Sequence, residues 1–125
     1  MSNGSPSKFI SLQQAVEMTT RYRQNKDRVI NSQYAGMDIL ALCDKFDRTT
    51  FDTLLEKTDC SAIRIYYGMD ESLKIHPVVV AVNESDEDIL PDSSLGSNLE
   101  VEDDDIGDDA LRCPPYCPPP SPLNE

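Results

Sequence analysis

The chain has no tryptophan and a single histidine, His76. No run approaches the roughly 20 apolar residues that cross a bilayer as a helix, so no membrane partner is expected. The five glycines are scattered and build no phosphate-cradling loop. Residues 1–83 contain no nucleophile elbow and no two-metal carboxylate cluster; Asp38, Asp44, Asp47 and Asp52 read as solvated surface carboxylates. His76 has no partnering carboxylate or cysteine in the local sequence and reads as a structural or surface residue. No local motif supplies both an activated nucleophile and a base. The chain is therefore expected not to be an enzyme, and no cofactor is expected. Basic residues are also few, 11 Lys and Arg against 23 Asp and Glu, with a net charge of −12. They are scattered, no basic patch shows, and nucleic acid is not an expected partner.

What is present is unevenly placed. Between Glu84 and Asp109 there are 12 acidic residues and no Lys or Arg, whereas residues 1–83 hold 10 acidic and 10 basic residues. The acidity belongs to a spacer, and the region before it is neutral. At 125 residues the chain accommodates one domain with tails. We expect a flexible N-terminus at residues 1–8, a small α+β domain at 9–91, a disordered acidic spacer at 92–109, and a Cys/Pro-rich tail at 110–125. The polar N-terminus has no apolar core of signal-peptide type. A cytoplasmic location is the expectation, with cysteines reduced by default.

The domain is organised around Cys60 to Asn83. Ile63, Ile65 and Tyr67 alternate with Ala62, Arg64 and Tyr66, the period of a half-buried strand. Gly68 to Leu73 supplies turn chemistry. Lys74 to Asn83 reads as the return strand, apolar on both faces from Val78 to Val82. Pro77 there lacks a donor and must sit at an edge, a bulge or a non-bonding position. Upstream, Ser11 and Gln14 fit a capping box that opens a helix to Asn25, with Leu12, Ala15, Val16, Thr19 and Tyr22 as its inward stripe. Gly36 to Phe46 reads as a second helix, with Ile39, Leu40, Cys43 and Phe46 on one face. Thr49 or Thr50 caps a third that ends at Lys57 and buries Phe51, Leu54 and Leu55. The expected fold is thus about three N-terminal helices packed on a small antiparallel hairpin or sheet. A homodimer through the sheet or the helices is expected from the apolar strand.

The tail carries the most unusual chemistry. Cys113-Pro114-Pro115-Tyr116-Cys117 sets two thiols four positions apart. Such a pair could bind a soft metal, form a reversible disulfide, carry a modification, or stay as exposed reduced thiols. Structural zinc takes four ligands, and Cys43 and Cys60 are expected in the core, so a complete site within one chain is not favoured. Cys113-Pro114 and Cys117-Pro118 are also Cys-Pro dipeptides of the kind some haem-sensing proteins use. Glu102 to Asp105 with Gly107 fails the calcium-loop pattern, since Ile106 and Cys113 would fall at ligand positions. Proline-rich segments pre-set an extended backbone and dock with little entropy loss; Tyr116 and Leu123 would anchor such a ligand.

Three segments together resemble an uncharacterised group of small bacterial proteins. They are Arg64-Ile65-Tyr66-Tyr67-Gly68-Met69-Asp70-Glu71, Asp88-Ile89-Leu90-Pro91, and Arg112-Cys113-Pro114-Pro115-Tyr116-Cys117-Pro118-Pro119 with Ser121-Pro122-Leu123-Asn124. Ile10-Ser11-Leu12, Met18-Thr19 and Tyr22-Arg23 resemble it too. The resemblance implies a bacterial, cytoplasmic-type protein and assigns no activity to any residue. The residues themselves point to an interaction module that presents a recognition tail (Arg112, Cys113, Pro114, Pro115, Tyr116, Cys117, Pro118, Pro119 and Leu123) to a protein partner. Two further readings stand beside it. One is a precursor modified at Cys113, Cys117 and Ser121; the other is metal or redox binding through Cys113 and Cys117.

Overall fold

A computed structural model describes residues 9–91 and 106–125; the expected flexible lead-in (1–8) and most of the expected acidic spacer (92–105) lie outside the described residues. In chain order the elements are α1 (Leu12–Asn25), a 3₁₀ turn (Ser32–Tyr34), β1 (Cys43–Lys45), α2 (Arg48–Leu55), β2 (Ala62–Met69), β3 (Ile75–Val82), β4 (Ile106–Gly107) and β5 (Leu111–Cys113). They form two antiparallel sheets, one of β1 and β5 and one ordered β2-β3-β4. The class is α+β, but the expected trio of N-terminal helices is corrected to two.

The helix expected over Gly36–Phe46 is the one that does not form. Gly36 (φ +82°) and Asp38 (φ +56°) both take left-handed backbone conformations, which end a helix. The carbonyls a helix would use internally are spent elsewhere. The Ile39 carbonyl accepts from the Ile75 amide (2.8 Å) and from Arg112 (2.9 Å). Cys43–Lys45 is drawn into a strand by Leu111–Cys113, seventy positions away. Of the expected apolar face, Ile39 is buried and Phe46 packs on the core, while Cys43 is exposed.

α1 starts where its capping box places it. Gln14 N donates to Ser11 Oγ (3.0 Å) and Ser11 N donates to Gln14 Oε1 (2.9 Å). Its expected inward stripe is not buried: α1 has no buried residue, and Leu12 stands exposed. In α2, Leu54 is the buried member of the expected trio; Phe51 packs partly, and Leu55 faces solvent.

The hairpin forms in the register Ala62↔Val82 through Met69↔Ile75. Asp70 builds its turn: Oδ1 accepts from the Ser72 and Lys74 amides (2.8 and 3.0 Å). Leu54, Val79 and Ala81 form the core, flanked by Phe46, Phe51, Cys60, Ile63 and Ile89. β4 pairs only with Val79 and Val80, so Pro77 lies where β3 has a single neighbouring strand and needs no second donor. At Gly107 a Cβ would meet Thr50 Cγ2 at 2.7 Å and Val79 Cγ2 at 2.9 Å. Glycine is what lets β4 approach β3 this closely.

Candidate functional site

The tail is the most chemically distinctive part of the chain, and the structure shows how it is held. β5 lies antiparallel to β1, with Cys113 opposite Cys43 and Arg112 opposite Asp44. The Leu42 amide donates to the Cys113 carbonyl (2.8 Å). Arg112 is buried, at 5% exposure. Its guanidinium donates to the carbonyls of Asp38, Ile39 (2.9 Å) and Ile75 (3.4 Å). One cation thus binds the loop before β1 to the start of β3. A buried charge is retained only when its donors are met, and here backbone acceptors meet most of them.

Two titratable side chains also lie in the field of Arg112. Burial pushes the Asp44 carboxyl above its ordinary value, against the pull of Arg112 and His76. Asp44 Oδ1 and Arg112 Nη1 are both buried without a hydrogen-bond partner among the described residues, so Asp44 feels the guanidinium through its field and not through a closed bidentate pair. Tyr22 of α1 donates its hydroxyl to the Ala41 carbonyl. Burial raises the Tyr22 hydroxyl; Arg112 opposes that shift, and Asp44 and Asp27 add to it.

Beyond Arg112 the chain closes on itself. Cys113 and Cys117 are joined by a disulfide, with Cα atoms 4.6 Å apart. The Cys113-Pro114 and Pro114-Pro115 peptide bonds are cis. Tyr116 N donates to the Arg112 carbonyl (2.9 Å). A second turn follows, in which Ser121 N donates to Asn124 Oδ1 (3.0 Å) and Asn124 Nδ2 donates to the Pro119 carbonyl (3.1 Å). Arg23 of α1 clamps the end, donating to the carbonyls of Leu123 (2.7 Å) and Glu125 (2.5 Å).

The sequence-derived site residues therefore divide. Arg112 and Cys113 are interior; Pro114, Pro115, Tyr116, Cys117, Pro118, Pro119 and Leu123 are exposed, with Tyr116 at 62%. Both sulfurs that were candidates for a metal are joined to each other in this structure, and no group of three His, Cys, Asp or Glu among the described residues is arranged to hold one. Cys43 and Cys60 keep free thiols; Cys60 is half-buried and packs on the core as expected, whereas Cys43, also expected there, is exposed. His76 does have a carboxylate partner: Nε2 lies 2.7 Å from Asp70 Oδ2 across the hairpin turn. Sequence reasoning missed Arg23 as the clamp on the chain end and Asp44 as the residue opposite Arg112, since each meets the tail through tertiary structure. For Arg112 a signal existed: it is the only Lys or Arg after Lys74, standing alone beyond the acidic run.

No helix among the described residues is long and apolar enough to cross a membrane. No protein-family model matches the chain, and no curated protein or solved structure matches it.

Proposed function

We propose that this protein is a non-enzymatic interaction module whose recognition element is its C-terminal tail, with Tyr116, Pro118 and Pro119 as the surface a protein partner reads. One observation carries the reading. Arg112 and Cys113 are buried in the fold, and the side chains immediately after them are exposed. A displayed aromatic on an anchored backbone loses little entropy on docking, which converts contact area into affinity efficiently. Prolines on either side add rigidity without offering amide donors. Arg112, on this reading, positions the loop and does not touch the partner.

Deleting the tail would remove β5 and Arg112 with it, so surface substitutions make the cleaner test. Tyr116→Ala with Pro119→Ala, in the full chain, should leave the thermal melt unchanged and remove the partners captured by wild type from its own host. The Tyr116 truncation alone should cost about 2 kcal/mol, or roughly thirtyfold in Kd, if it is a central anchor. An unchanged set of captured proteins would sink the proposal.

A further inference from the structure

We propose that Cys43, Cys113 and Cys117 form a thiol–disulfide exchange site, through which the chain passes between two disulfide isomers. The inference goes beyond the recognition reading and does not depend on it. It rests on a juxtaposition. Cys113 is bonded to Cys117, and directly opposite Cys113 in the β1–β5 register stands Cys43 with a free thiol. Directly opposed residues on antiparallel strands share a face. Their Cα atoms lie about 4.5–5.5 Å apart, inside the range of about 4.4–6.8 Å that a disulfide spans. Cys43 could therefore bond to Cys113 with little movement of either strand.

The three sulfurs differ in access, and that difference sets the direction of attack. Cys43 and Cys117 are exposed, whereas Cys113 is 1% exposed. A solvent thiol meets Cys117; the sulfur of Cys113 is shielded from solvent and flanked by the neighbouring strand. In the exchange, the Cys43 thiol gives its proton to solvent and its thiolate attacks Cys113 Sγ. The Cys43–Cys113 bond forms as the Cys113–Cys117 bond breaks. The electron pair leaves with Cys117 Sγ, which takes a proton from solvent. No electron is gained or lost overall, so no oxidant or reductant is required. The first isomer closes the loop around Tyr116. The second staples β1 to β5 and frees an exposed thiol at Cys117. Cys60, whose thiol faces the Ala62 carbonyl (3.4 Å) ahead of β2, takes no part and serves as an internal control.

Trypsin separates the players by sequence: Cys43 falls in peptide 29–45, Cys60 in 58–64, and Cys113 with Cys117 in 113–125. The full chain, isolated without reductant, is incubated at mildly alkaline pH to raise the thiolate share. It is then quenched with N-ethylmaleimide, digested and mapped by mass spectrometry. The expected result is two species. One has 113–125 closed on itself and Cys43 labelled; the other has 29–45 joined to 113–125 through Cys113, with Cys117 labelled. Cys43→Ser should abolish the Cys117 label, and Cys60→Ser should leave it unchanged. Label on Cys43 with none on Cys117 at any time would overturn the proposal. Cys117→Ser, a substitution at an exposed position, gives a second arm. With oxidised glutathione it should yield the intrachain Cys43–Cys113 bond. Recovery of only a glutathione adduct on Cys43 would count as refutation.

Discussion

The hairpin and the tail are held in opposite ways. Around the hairpin, Leu54, Val79 and Ala81 are buried against other apolar side chains, and the interaction is one of area and fit. Around the tail, the interior holds a guanidinium on backbone carbonyls and a carboxylate with one buried oxygen unpartnered, and a tyrosine hydroxyl stands at its edge. The first arrangement is non-directional and shared among many atoms. The second depends on a few donors, each with a specific acceptor. A fold assembled from both should respond to damage in two distinct modes, one global and one confined to the tail.

The largest effect should come from the apolar side. Leu54→Ala leaves a cavity where α2 meets the hairpin and should destabilise the whole fold by about 3 kcal/mol. Hydrogen exchange should then quicken alike in the hairpin and the tail. Arg112→Ala should cost somewhat less, about 2 kcal/mol, from losing charge-assisted bonds to buried carbonyls. Its signature should be local: the Leu42 and Tyr116 amides, which bond to the Cys113 and Arg112 carbonyls, lose protection while Ile89, which bonds to the Ala81 carbonyl, keeps it. Equal loss at Ile89 would show that the two regions are one cooperative unit and would dissolve the comparison.

What could be read in the sequence follows the same division. Ser11 with Gln14 closes a cap over three positions, and the strand from Ala62 to Tyr67 pairs with the next strand in sequence across a short turn, so both announce their structures. β1 and β5 announce nothing, because three-residue strands acquire their pairing from partners seventy positions off. The spacing of Ile39, Cys43 and Phe46 does fit a helix, yet the conformations at Gly36 and Asp38 and the demand of Arg112 for carbonyls decide otherwise. Tertiary context outweighs a weak local preference of this kind. Tyr116 and Leu123, read from the sequence as anchors of an extended ligand, stand exposed on a tail that is instead closed by a disulfide and a turn. The interior position of Arg112 beside them was not legible, because burial of a cation depends on acceptors that only the folded loop provides. Cys43 opposite Cys113 belongs to the same class of nonlocal fact.

The smallest effect should be a difference in sign under mild acid, and it separates the regions without cutting either. Asp88 is held below the ordinary carboxylate range by the Tyr66 hydroxyl and by Arg64, which lies 2.5 Å away. Asp70 is held low by the Lys74 amide, with His76 and Ser72 contributing. A depressed folded value means that their contribution is complete above the unfolded value of about 4 and is lost as pH falls through the folded value. Asp44 runs the other way. Burial raises its folded value, so its ionisation weakens the tail anchor as pH rises through the window above about 4. Lowering pH from neutral should first strengthen protection at Leu42 and Tyr116, and only later weaken the hairpin turn. Protection factors, corrected for intrinsic exchange at each pH, give the readout. Asp44→Asn should remove the early gain and leave the later loss in place. If the tail weakens from the outset, the field of Arg112 outweighs the burial of Asp44, and the anchor is an ion pair after all.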